Sequence, residues 1–213
     1  MLAAYAVRAD PVSPLDALVV GEIEPPSVPD GWVRVEVEAA GLNRHDLWSL
    51  HGVGLRADRL PMILGCDAAG VTDGGREVIV HAVINSPDFV GSDATYDPER
   101  SLLSERYPGT FATHVWVPAT NLVDKPSELS FAQAACLPTA WLTAYRMLFS
   151  QSAARPGDTV LIQGAGGGVS TALIALARQA GMRVWVTSRD EARGARAVGL
   201  GAHQAFAAGA RLP

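Results

Sequence analysis

Only two cysteines, Cys66 and Cys136, occur in the 213 residues. Two isolated thiols make no disulfide framework, and without a CxxC pair there is no signature of a structural zinc. Lysine is nearly missing as well: Lys125 is the one example, so positive charge rests on arginine. Acidic residues outnumber basic ones by 22 to 17, a formal net charge of −5. That balance argues against nucleic acid or an anionic membrane as the main partner. No apolar run is long enough to cross a bilayer. The opening MLAAYAVRADP lacks the basic region, apolar core and small-residue cleavage site of a secretory signal, so the expected location is cytoplasmic. Internal repeats and low-complexity segments are absent too. The five histidines, His45, His51, His81, His114 and His203, are scattered, with no metal-like pairing.

What is present is an ordinary globular composition, 48% hydrophobic and 18% charged, in a chain long enough to bury a real core. The first part reads as β-rich. Residues 2–7, 77–81 and 111–117 are short strand-like runs, and residues 32–38 alternate apolar and polar side chains with the period of a half-buried strand. Proline and glycine clusters separate them. After Asp124-Lys125-Pro126 the pattern changes. Ser130 with Gln133 forms a capping box, which predicts a helix from Phe131; Pro138 should break it, with a second helix from about Thr139. Beyond a turn at 155–158 come a strand (159–163), a glycine loop, a helix (169–180), a strand (183–187) and a helix from about Asp190. Such a β-α-β unit implies parallel strands. The expected domains are therefore 1–126 and 127–213, in a mixed α/β chain.

The most informative stretch is VLIQGAGGGVS, residues 160–170. An apolar strand delivers the chain into Gly164, Gly166, Gly167 and Gly168, and a helix starts at Val169. Glycine lets the backbone approach a pyrophosphate closely, and the helix start offers free N–H groups and a positive dipole end. The following strand ends in Ser188 and Arg189, with Arg193 one helical turn beyond. Sites that prefer NAD usually carry an acid there to accept the ribose 2′-hydroxyl. A hydroxyl and guanidinium groups suit a 2′-phosphate instead, so the cofactor reading is NADPH.

Several segments in this order resemble the medium-chain dehydrogenases and reductases: AAGLNRHD (39–46), ILGCDAAGV (63–71), PGTFATHVWVPATNLVDKP (108–126), AACLPTAWLTAYRML (134–148) and PGDTVLIQGAGGGVS (156–170). The resemblance implies an N-terminal GroES-like β domain and a Rossmann-type domain, with the active site in the cleft between them. It also implies a branch. The zinc alcohol dehydrogenases have cysteine where this chain has Asn43, histidine where it has Cys66, and cysteine near Thr139, and many carry a four-cysteine lobe that is absent between Asn85 and Tyr107. One thiol, an amide and a hydroxyl make a poor Zn²⁺ site, so no metal is expected and the chain resembles the zinc-free quinone and enoyl reductases. Asn43 matches their active-site asparagine and is the expected donor to a substrate oxygen. Trp48 stands where some relatives carry tyrosine and would shape a flat pocket, with Thr139 and Cys66 lining the same cleft. Loops 50–60 and 85–107 would set pocket shape.

The implied activity is NADPH-dependent hydride transfer to a small-molecule quinone, enone or related activated C=C or C=O. Two rival readings are a zinc alcohol dehydrogenase variant using Cys66 and Asp67, and a non-catalytic nucleotide-binding or interaction module. The second arises because a complete dinucleotide domain has two β-α-β halves, whereas only the first half, with two strands, is expected here. The strand at 159–163 would then keep an open edge. Homo-oligomerisation, or completion by a further C-terminal segment, is left open.

Overall fold

The structure, a computed structural model, describes residues 1–91 and 93–212. It divides into two compact units, Met1–Thr139 and Ala140–Pro213. Residues 127–139 stay with the first unit, where Ala134 and Ala135 bury themselves against Ala69 and Ile79, with Leu129 and Phe131 packed beside them.

In the first unit β1 (Leu2–Ala6) lies between β2 (Leu18–Glu22) and β4 (Met62–Ile63). The long strand β3 (Trp32–Gly41) is central to a second sheet. It pairs on one side with β5 (Asp67–Thr72), which continues through β6 (Glu77–Val80) to β10 (Leu122–Asp124), and on the other with β9 (His114–Pro118). A small ribbon joins β7 (Val83–Ile84) to β8 (Ser101–Leu102). The alternation read in residues 32–38 is a sheet with one face in the core: Val35 is fully buried while Glu36 and Glu38 are exposed. Val35, Val78, Val80, Val115 and Val117 share one buried cluster. β9 starts three residues later than expected because Phe111 is spent at a corner, its N–H donating to Leu64 and its carbonyl accepting from Ala4.

Packing in β5 demands small residues. A side chain at Gly70 would put its Cβ 1.9 Å from the Glu36 carbonyl oxygen across the ladder. At the far end of the same pairing Gly41 stands opposite Asp67. The chain leaves β3 there and enters α1 (Arg44–Leu50), with Asn43 as the N-cap residue. Further on, α2 (Phe131–Ala134) begins where the capping box places it: Ser130 Oγ accepts from Gln133 N and Gln133 Oε1 accepts from Ser130 N. Pro138 does interrupt the helix. The chain resumes as a wide π turn at Leu137–Trp141, two residues earlier than expected, since proline in a first turn needs no N–H partner.

The second unit opens with α3 (Leu142–Tyr145), which a further π turn, Arg146–Gln151, extends. Then follow β11 (Thr159–Gln163), α4 (Gly168–Gln179), β12 (Arg183–Ser188) and α5 (Glu191–Gly199), matching the expected order. The expectation of two strands is corrected by a third, β13 (Gln204–Ala207), parallel to β12 in a sheet ordered β11-β12-β13. Its sequence QAFA holds one large apolar residue among weak strand formers, so local pattern does not reveal it. Pairing does: Phe206 stands opposite Thr187, and its ring meets Trp185 edge-on at 5.3 Å. Among the described residues β11 remains an edge strand, as expected. Ile162, Val184, Val186, Ile174 and Ala177 are the buried centre.

Candidate functional site

Two candidate sites emerge, one in each unit. In the first, the register of β3 against β5 brings Gly41 beside Asp67, and the two residues after Gly41 turn the chain so that Asn43 faces the same carboxylate. Glycine eases the close approach at Gly41: a Cβ would lie 3.0 Å from both Asp67 Cβ and the Ala135 carbonyl oxygen, a tight contact. Asn43 Nδ2 donates to Asp67 Oδ2 at 2.8 Å, and Thr139 Oγ1 donates to Asp67 Oδ1 at 2.5 Å. Asp67 is only 2% exposed. Burial pushes its carboxyl up, against the pull of these donors and of the Thr139 backbone N–H. Cys66 Sγ lies 3.5 Å from Thr139 Oγ1 and 3.6 Å from Asn43 Nδ2.

Asn43 and Thr139, singled out in sequence, are thus brought together by a residue read there only as a possible metal carboxylate. The signal available was an aspartate opening an otherwise apolar run, CDAAGV. Trp48 sits on α1 with 55% of its surface exposed. A second buried carboxylate, Asp46, accepts from Asn43 N at 2.7 Å, closing the start of α1. Its Oδ1 and the neighbouring Ser49 Oγ have no hydrogen-bond partner among the described residues. Burial raises the Asp46 carboxyl, and the nearby Asp67 charge adds to the effect.

These residues do not fit Zn²⁺. The Asn43 amide nitrogen is turned to Asp67 as a donor, and both Asp67 carboxylate oxygens are already engaged by Asn43 and Thr139. Among the described residues no three His, Cys, Asp or Glu side chains gather where a metal could be held.

In the second unit the strand-to-helix loop is built for close approach. Gly164 and Gly166 have φ of +82° and +96°, which favours glycine. Gly164 N and Ala165 N both donate to the Thr187 carbonyl, and Ser170 Oγ donates back to the Gly164 carbonyl at 2.7 Å, so the loop is tied to the end of β12. Gly167 is the N-cap of α4, with Gly168 and Val169 in its first turn, where helix N–H groups lack intrahelical partners. A cavity of about 370 Å³ opens at this end of the sheet, lined by Gly164, Ser188, Arg189 and Arg193, together with Ala165, Thr187, Asp190 and Ala208, which sequence reasoning missed. Asp190, its one acid, is occupied as the N-cap of α5: Oδ1 accepts from Arg193 N at 2.9 Å. Ser188 Oγ donates to the Asp190 carbonyl at 2.6 Å. Arg193 packs its aliphatic stem over Gly166, 3.4 Å from where a Cβ would stand. The residues present fit a dinucleotide phosphate group: Gly164 and Ala165 of the glycine loop line one cavity with Arg189 and Arg193, and the loop leads directly into the start of α4.

Comparisons with known proteins bear on the family and the fold. Residues 29–127 match the alcohol dehydrogenase GroES-like domain. A crotonyl-CoA carboxylase/reductase of Cereibacter sphaeroides is 31% identical over 220 residues; the match covers 93% of this chain and 51% of that protein. The crystal structure of an NAD-dependent alcohol dehydrogenase superposes with a TM-score of 0.87 at 34% identity, covering 97% of this chain and 63% of the other. The quinone oxidoreductase of Thermus thermophilus, solved also in complex with NADPH, superposes with a TM-score of 0.75 at 29% identity, covering 98% and 60%. The chain thus spans about half the length of the curated reductase it matches.

Proposed function

This chain belongs to the medium-chain dehydrogenase/reductase superfamily, and from that premise we propose that it is an NADPH-binding oxidoreductase acting on a small-molecule quinone, enone or related activated C=C or C=O. One observation carries the reading. The cavity at the end of β12 presents the exposed Arg189 beside Ser188 and Arg193, while its only acid, Asp190, is spent on capping α5. A 2′-phosphate would meet guanidinium donors there, whereas the carboxylate that a ribose 2′-hydroxyl would need is engaged elsewhere.

NADPH, when bound, supplies hydride to an electron-poor carbon, and the protein has to bind, orient and stabilise charge around it. In the first unit Asp67 holds one Asn43 N–H firmly at 2.8 Å. The other N–H faces only the Gly41 carbonyl at 3.4 Å and Cys66 Sγ at 3.6 Å, both long contacts. That second N–H is the donor offered to a substrate oxygen, since redirecting it sacrifices little. Thr139 fixes the other carboxylate oxygen of Asp67, and the exposed Trp48 supplies a flat apolar wall.

The test is a fluorescence titration with NADPH and NADH in parallel; Trp185 in β12 is a built-in reporter. Wild type is expected to bind NADPH at least about tenfold more tightly, the scale of one charge-assisted contact to a phosphate. In Arg189→Ala the NADPH affinity should fall towards that for NADH, which stays unchanged. Equal affinities in wild type, or a preference for NADH, would sink the assignment.

A further inference from the structure

A cavity of about 400 Å³ lies in the first unit, away from the Asn43 cluster, where residues 54–59 meet residues 99–106. These belong to the two loops expected from sequence to shape the substrate pocket. Arg56, Arg59, Arg100 and Arg106 line it, in a chain whose net charge is −5. Three acids line it too, and one of them is bound by an arginine. Arg56 grips Asp58 with two hydrogen bonds of 3.0 Å. Glu105 Oε1 stands 3.7 Å from His45 Nε2. Glu99 and Glu105 face the remaining guanidinium groups, with Asp58 also acting on Arg59 and Asp97 on Arg100, so four lining arginines stand against three lining acids. Arg100 is steadied by donating to the Asp97 carbonyl at 2.8 Å, and Arg106 lies over the Tyr107 ring, 5.6 Å from its centre. Arg59 makes no ion pair among the described residues.

A strained element holds this wall. Ser104 has φ of +68°, the one non-glycine residue with positive φ among those described, and it is fully buried. Such strain persists only where surroundings over-determine it. Here Ser104 N donates to the Tyr107 carbonyl at 2.8 Å, and Ser104 Oγ meets His45 Nε2 at 3.3 Å. Gly54, with φ of +81°, turns the chain beside the same wall. His45 belongs to α1, the helix capped by Asn43, so the wall is joined to the helix that carries the candidate catalytic amide.

We propose that this cavity is a phosphate-ester site, in which Arg59, Arg100 and Arg106 take the anionic tail of a substrate whose reacting end reaches the Asn43 cluster. Its volume falls in the range of small-molecule sites, about 300–1,000 Å³. Guanidinium groups match phosphate oxygens in geometry and stay charged at any working pH. The substrate part of this statement rests on the oxidoreductase reading; the anion site itself does not.

Isothermal titration of the 213-residue chain with adenosine 3′,5′-bisphosphate, and with adenosine as the uncharged control, tests the site. Binding of the bisphosphate alone is expected. It should weaken at least about tenfold in Arg59→Ala/Arg106→Ala and persist in Arg189→Ala. Both arginines are surface side chains, and unchanged circular dichroism of the double variant confirms its fold. No binding by wild type, or undiminished binding by the double variant, overturns the site. For the substrate role, the double variant should raise KM for crotonyl-CoA at least about fivefold at unchanged kcat, yet leave KM for crotonyl-pantetheine, which lacks the phosphates, as it was. Equal effects on both thioesters would overturn that role. Absence of turnover by wild type would count against the oxidoreductase reading, and the titration would still decide the anion site.

Discussion

Asp46 places a carboxylate where water is scarce, and stability should record it. Burial, reinforced by the Asp67 charge, raises its carboxyl in the folded protein above the unfolded value. A group raised in this way contributes stability that is complete below about pH 4, the ordinary carboxylate value, and lost as pH rises through the raised one. Asp46→Asn removes that loss while keeping an oxygen for the Asn43 N–H. Relative to wild type, the variant's urea midpoint should therefore be higher at pH 7 than at pH 3. A difference that is flat or reversed between those pH values would show that the Asp46 charge is compensated. Gly70→Ala probes close approach, its Cβ falling 1.9 Å from the Glu36 carbonyl oxygen. Forcing β3 from β5 is expected to cost about 3 kcal/mol, measured by urea unfolding. At this scale the sequence was informative about identity and silent about partnership. Asn43, Ser188 and Arg189 could be singled out from it, but that Asp67 binds both Asn43 and Thr139 depends on the pairing of Gly41 with Asp67, two strands that meet only in the folded sheet.

Elements were legible where their signals are local. The Ser130–Gln133 box starts α2 because both of its hydrogen bonds close within four residues. Ser130→Ala should therefore cost about 1 kcal/mol, read as a lower urea midpoint. The glycine loop is bounded by a strand and a helix for the same reason. β13 was not legible, because its stability comes from pairing with β12 and not from its own apolar content. β11 carries the opposite risk. It is an edge strand among the described residues, with Leu161 38% exposed, and an unpaired apolar edge invites association. Leu161→Lys should reduce concentration-dependent light scattering while leaving NADPH titration unaltered. Unchanged scattering would show that the edge does not drive association.

At the scale of the whole molecule each unit carries its own core. Ile174, Val184 and Val186 belong to a cluster contained in 140–213, whereas Val35, Val78 and Val115 belong to one contained in 1–139. Calorimetry is therefore expected to resolve two transitions. NADPH should raise the midpoint of the one that belongs to the second unit, by mass action on its cradle, and leave the other in place. A single transition that shifts as a whole with NADPH would contradict this independence.

The amino-acid order by itself determined the mixed α/β class, the parallel β-α-β order around residues 159–199, the glycine loop and the arginines after it. Each is written in a period, a cap or a backbone requirement that operates within a few residues of chain. Tertiary structure alone decided the third parallel strand, the Asp67 hydrogen bonds that unite Asn43 with Thr139, and the arginine-lined cavity joining residues 54–59 to 99–106. Those features exist only once strands and loops distant in sequence are paired, and a pairing between distant segments leaves no mark in either one taken singly.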